Sequence, residues 1–145
     1  MQAAARTLGI ELHVLHASTD RDFDTVFATL LQLRAGALVI TGDPFFVSRI
    51  EQLAALTVRH AVPAVSRNRE FPAAGGLISF PAGNTDDTVR QWGVYVGRIL
   101  KGERPADLPI MQPTKFNLAI NMKTAKSLGL DVPATVLVCA DEVIE

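Results

Sequence analysis

The stretch LVITGDPFFVSR, Leu38 to Arg49, runs from an apolar segment through Gly42-Asp43-Pro44 into two adjacent phenylalanines. The segment Ala37–Thr41 is too uniformly apolar for a half-exposed hairpin strand, and it fits a parallel strand covered on both faces. Gly42 permits a turn. Asp43 is placed to cap the amides of a following helix, with Pro44 at the first position, where a missing N–H costs nothing. The carboxylate has two readings. In an open parallel sheet, solutes bind beyond the carboxyl ends of the strands, so Asp43 is placed to accept hydrogen bonds from a ligand. As an N-cap worth about 1 kcal/mol it is explained equally well. Phe45 and Phe46 leave the helix start in different directions, which divides them between core packing and a ring turned to a ligand.

Working outward, Ile50, Leu53, Ala54 and Thr57 recur on one side of a helix, with Arg49, Glu51, Gln52 and Arg59 on the other. The segment HAVPAVS, His60 to Ser66, reads as a short strand that Pro63 opens. Upstream, Phe23, Val26, Phe27, Leu30 and Leu31 form a helical stripe ended at Ala35-Gly36. Before it, IELHVLHA alternates Ile10, Leu12 and Val14 against Glu11 and His13, the period of a strand. Residues 1–8 read as a helix closed by Gly9. Short alternating strands and helices with short connections predict an open parallel α/β sheet in three layers. The first helix has no strand before it, although a doubly wound sheet normally opens with one; the expectation is a lost beginning.

Downstream the pattern loosens. Residues 67–87 are polar and glycine-bearing, with one strand candidate at Gly76–Phe80. Thr88–Leu100 reads as a helix carrying Val89, Trp92, Val96, Ile99 and Leu100 on one face, followed by the extended connector KGERPADLPI. A strand follows with Phe116, Leu118 and Ile120, then a short helix through Ala125 and Leu128 that Gly129 closes. Pro133–Val138 stays open between strand and helix.

The chain has 145 residues, a formal net charge of -1 and 20% charged content. That suits one domain with a core and does not favour nucleic acid or an anionic membrane as partner. The longest apolar runs are too short to span a bilayer. No signal peptide precedes the first helical segment, which fits a cytosolic chain or a trimmed form of an exported one. The one cysteine, Cys139, rules out an intramolecular disulfide. His13, His16 and His60 follow no metal-binding spacing.

The second strand-end loop is SRNREF, Ser66 to Phe71, whose Ser66, Asn68, Arg69 and Glu70 offer donors and acceptors to a zwitterionic ligand or simply to solvent. Gly75-Gly76 permits close backbone approach or a turn. No GxSxG, GxGxxG or Walker lysine motif is present, and no base stands beside a serine or the cysteine. Polar side chains at successive strand ends without a reactive group favour binding over catalysis, with no cofactor and no metal.

The segments GRILKGERPADLPIMQPTKFNLAINMKTAKSLGLDVP and ADEVIE, together with LRAGALVITGDPFFVSRIEQLAALTVRHAVPAV and REFPAAGGLISF, carry a family likeness. On them the chain resembles the C-terminal part of ABC transporter substrate-binding proteins of the tryptophan/tyrosine type, which have the type I periplasmic-binding-protein fold. The resemblance implies two lobes with ligand in the cleft between them. It assigns residues 1–78 to the second lobe, 79–112 to a segment returning to the first lobe, and 113–145 to a final pass into the second. It turns the TGDPFF and REFPAAGG loops toward the cleft. The implied contact residues are Asp43, Phe45, Glu70 and Phe71, and Gly42, Phe46 and Ser66 from the strand-end reading complete the candidate ligand-binding set. Implied partners are a small organic solute, with aromatic or branched amino acids suggested, and a membrane permease. The implied location of the full-length parent is periplasmic or extracytoplasmic. The Thr88–Leu100 helix would lack its usual lobe, and a homodimer or segment exchange through it is expected. A cytosolic sensor of the same fold, a small α/β enzyme and a non-binding remnant are the other readings.

Overall fold

The computed structural model describes residues 2–80, 85–110 and 116–145, with the backbone alone for 85–88. Two compact units result, Met1–Ala35 and Gly36–Glu145.

In the first unit, helix α1 (Gln2–Thr7) ends at Gly9, whose φ of +65° is the left-handed turn that glycine adopts without strain. The Ile10 amide closes that end on the Ala5 carbonyl at 2.9 Å. Helix α2 (Asp22–Gln32) buries Phe23, Phe27 and Leu30 of the expected stripe, while Val26 is half-buried and Leu31 exposed. Its end differs from the expectation. The left-handed residue is Arg34, at φ +50°, and the Ala35 amide returns to the Leu30 carbonyl at 3.0 Å. The alternating segment at residues 10–17 forms no strand, and Ile10, Leu12 and Val14 are exposed. Alternation prepares a segment for a sheet, but a ladder exists only where a neighbouring strand supplies the partner groups.

The second unit is built on a sheet in the order β1-β2-β3-β4-β5, formed by Leu38–Ile40, Ala64–Ser66, Ile78–Ser79, Ala119–Asn121 and Glu142–Ile144. The first three strands are parallel, as expected. β3 and β4 are antiparallel, and β4 and β5 parallel again, so the sheet is mixed and mostly parallel. Helices flank it, which is the architecture of one lobe of a type I periplasmic-binding-protein-like fold with a crossover strand.

The helix expected after Asp43 is two, α3 (Pro44–Val47) and α4 (Ile50–Arg59). Ser48 Oγ donates to the Phe45 carbonyl at 2.8 Å and Arg49 leaves the helical region at ψ +23°. A serine that bonds the backbone this way competes with the helix ladder. α4 buries Ile50, Leu53, Ala54 and Thr57. α5 (Glu70–Ala73) is a single turn with Phe71 and Pro72 buried. α6 (Thr85–Leu100) begins three residues before the expected start, and a 3-10 turn at Pro105–Asp107 interrupts the connector that follows. The expected boundary at residue 112 lies outside the described residues. α7 (Met122–Ser127) starts directly on β4, and Pro133–Val138 resolves into helix α8 (Ala134–Val138), with β5 an additional strand.

One polar residue ties distant parts of this unit. Asn121, 6% exposed, caps α7 by accepting the Thr124 amide at 3.0 Å. Its side-chain amide donates to the Pro72 carbonyl at 2.8 Å, and Thr124 Oγ1 donates to the Gly75 carbonyl at 2.8 Å. Buried polar groups stabilise only when satisfied, and here both ends of the Asn121 amide are.

Candidate functional site

Register brings the strand ends together. Ile40 pairs with Ser66 and Ser66 with Ser79, so the last residues of β1, β2 and β3 form one row across the sheet. The loops that follow, at Thr41–Phe45, Arg67–Glu70 and Phe80, therefore leave from the same end. Because β4 runs the other way, the chain enters β4 and β5 from that end too, through Phe116–Leu118 and Asp141.

Asp43 is exposed and caps α3, with Oδ1 accepting the Phe45 amide at 2.8 Å. Its other oxygen accepts no hydrogen bond from the described residues, so capping leaves half the carboxylate open at the strand end. Gly42 is exposed beside it, and a Cβ there would meet nothing within 4 Å. Phe45 and Phe46 are both half-buried, their ring centroids 5.5 Å apart and tilted by 58°. The Arg49 guanidinium stands 5.0 Å from the centroid of the Phe45 ring, within cation–π range, and donates to Ser48 Oγ at 2.8 Å.

The second loop is wound on its own side chains. Ser66 is buried and its Oγ accepts the Asn68 amide at 3.1 Å; Asn68 Oδ1 in turn accepts the Glu70 amide at 2.9 Å. Successive Asx- and serine-type turns of this kind hold a loop without a helix or ladder. Glu70, Arg67 and Arg69 are left exposed, so both signs of charge flank the strand ends. Ser66 supports the loop and presents no surface, and Phe71 is likewise wholly buried. Of the residues expected at the site, Gly42, Asp43 and Glu70 are exposed there, Phe45 and Phe46 half so, while Ser66 and Phe71 lie beneath.

The sequence pattern did not single out two further rings, Phe80 and Phe116, which stack at the same end. Their only signal was the long connector between the third strand candidate and the fourth, which hides the pairing that joins them. Asp141 was also unmarked. Its Oδ2 accepts the Leu118 amide at 2.8 Å and its own amide donates to the Leu118 carbonyl at 2.8 Å, which pins the entry to β5. Ser79 Oγ, wholly buried in the strand-end row, has no hydrogen-bond partner among the described residues.

No cluster of three or more His, Cys, Asp or Glu side chains that could hold a metal ion occurs among the described residues, and no helix there is long and apolar enough to cross a membrane. The arrangement offers hydrogen-bond acceptors, both charges and aromatic rings around the ends of parallel strands.

The profile of the family described as ABC transporter substrate binding protein matches residues 1–144. No curated protein matches the chain. Among solved structures, a conserved domain protein from Vibrio cholerae O1 biovar El Tor is similar at a TM-score of 0.84 and 22% identity, over 98% of this chain and 47% of that one. The ABC domain in complex with L-Trp from Streptococcus pneumonia is similar at 0.80 and 23% identity, over 98% of this chain and 49% of that one. The ligand-free, open structure of a substrate binding protein with adhesive properties from Clostridium difficile is similar at 0.69 and 17% identity, over 99% and 47%. At these identities the likeness is one of fold, and the chain spans about half the length of each of the three.

Proposed function

This chain belongs to the family of ABC transporter substrate-binding proteins, and on that premise we propose that it is the second, solute-binding lobe of an extracytoplasmic uptake component. The observation that carries the reading is the convergence of the Asp43 loop and the Asn68–Glu70 loop at the carboxyl ends of adjacent parallel strands. Asp43 supplies an open carboxylate oxygen for a solute amine or hydroxyl, and Arg67, Arg69 and Glu70 supply the complementary charges. Phe45 and Phe46 add apolar contact at the helix start, Gly42 lets the backbone approach, and Ser66 and Phe71 hold the second loop from below. The solute is a small organic zwitterion, with amino acids the first class to try. It is bound without covalent change and handed to a membrane permease.

In this reading residues 79–112 return to a facing lobe. α6, within that segment, exposes Val89, Trp92, Val96, Ile99 and Leu100. A helix face of that width is normally buried against another element, and a second copy of the chain is its proposed partner where no facing lobe is present.

A thermal-shift screen of amino acids and small organic solutes tests the binding reading. A ligand that binds only the folded chain stabilises it by about 2.7 kcal/mol at a hundred times its Kd. A saturable rise in Tm with one solute class is expected. A flat response across the panel would identify a lobe that folds but does not bind.

A further inference from the structure

Ser79 is wholly buried, and its hydroxyl has no hydrogen-bond partner among the described residues. A buried hydroxyl left in that state costs free energy, and native structures nearly always satisfy it with a protein group or an ordered water. Register fixes the neighbours of Ser79. Ser66 stands opposite it on β2 and Ala119 on β4, and side chains opposite one another share a face of the sheet. Asn121 lies two residues beyond Ala119, so it is on that face too, and there it donates to the Pro72 carbonyl of α5 at 2.8 Å. Helix α5 therefore covers this face, and the loop from Arg67 to Arg69 leads into it. Ser66, also buried, accepts the Asn68 amide at its Oγ, and Asn68 Oδ1 accepts the Glu70 amide. That leaves Ser66 one O–H to donate and one lone pair to fill. No hydrogen bond joins the two serine hydroxyls directly among the described residues. Neighbouring strands lie about 4.8 Å apart. A water making two O–H···O bonds of about 2.75 Å at its ordinary angle spans roughly 4.5 Å. Two enclosed hydroxyls at that spacing supply the two polar partners a buried water needs.

We propose that one ordered water bridges Ser66 Oγ and Ser79 Oγ, and that Ser79 acts through it as a positioning residue for the loop that carries Asn68 and Glu70. The hydrogen bonds then run unbroken from Ser79 through the water to Ser66, from Ser66 to the Asn68 amide, and from the Asn68 side chain to the Glu70 amide. Linked bonds of this kind polarise and strengthen one another in a buried setting. The consequence for Glu70 as a solute contact rests on the solute-binding reading above; the water itself does not. A crystal structure of the whole chain that resolves waters should show one about 2.8 Å from both hydroxyl oxygens. Amide exchange followed by NMR tests the positioning role. In Ser79→Ala, which removes the hydroxyl and adds no bulk, the Asn68 and Glu70 amides should exchange roughly two- to tenfold faster, the equivalent of one net hydrogen bond. The Leu53 amide, in α4, should keep its rate. A map with a protein atom bonded to Ser79 Oγ, or with no water between the two serines, overturns the bridge. Equal acceleration at all three amides means a general loss of stability and overturns the positioning role, as does unchanged exchange at Asn68 and Glu70. No solute enters these measurements, so a flat solute screen leaves the water in place, and a missing water leaves the solute reading in place.

Discussion

A Cβ built on Gly76 would lie 2.4 Å from Cε1 and Cζ of the Phe71 ring, which is itself wholly buried. The Gly76 amide donates to the Phe71 carbonyl at 2.8 Å, so the backbone folds back over the ring it must clear. Contacts that short do not occur between real side chains, and this ring sits in the core with no slack. Gly76→Ala is expected to cost about 1–3 kcal/mol, the usual range for overpacking a filled core. Urea unfolding measures it, and a change within experimental scatter would mean that the ring has room to move.

Two substitutions at Asp43 separate capping from binding. Asparagine caps helices about as well as aspartate, whereas alanine does not cap and typically costs about 1 kcal/mol. Asp43→Asn should therefore unfold at the wild-type denaturant midpoint, and Asp43→Ala at a lower one. If the open oxygen holds a solute cation, both variants lose affinity in calorimetric titration with the solute found by screening. Unchanged affinity in Asp43→Asn removes the carboxylate from the site.

Asp22 carries a pH signature. Its carboxylate accepts the amides of Ser18 and Thr19, both at 2.8 Å, and these bonds hold its pKa below the ordinary 3.8. A carboxyl whose folded pKa is depressed contributes stability in full above its unfolded pKa and loses it as pH falls through the folded one. NMR titration of the Asp22 carboxyl carbon should give a midpoint below 3.8, and Asp22→Asn should flatten the acid limb of the stability profile. A midpoint at or above 3.8 contradicts the amide cage.

Trp92, 64% exposed, stands in the apolar face of α6. If a second copy covers that face, light scattering at working concentration reads a dimer mass, and Trp92→Glu shifts the population to monomer by placing a charge in the interface core. A monodisperse wild-type monomer ends the dimer proposal.

The local features were legible where one residue decides the geometry. Gly9 at φ +65°, Asp43 and Pro44 at the start of α3, and the Phe23, Phe27, Leu30 stripe all stand where spacing and side-chain chemistry placed them. Misreadings occurred where a distant or competing group decides. Residues 10–17 have strand alternation without a ladder, the second helix ends at Gln32 ahead of the expected Ala35-Gly36, and Ser48 splits a helix that periodicity reads as one. The position of the Asp43 and Glu70 loops after parallel strand ends followed from the alternation of strands and helices. The burial of Phe71 and Ser66 did not, because a side chain's depth depends on what the rest of the chain lays over it.

The amino-acid sequence alone determined the capped helix at Asp43 and the family likeness, since each rests on neighbours within a few residues or on a contiguous motif. Only the tertiary structure decided that β4 returns antiparallel to β3, and with it that Phe80 and Phe116 meet as parallel rings. Strand order and direction are fixed by hydrogen bonds between segments far apart in the chain, and no local pattern encodes which partner a strand takes.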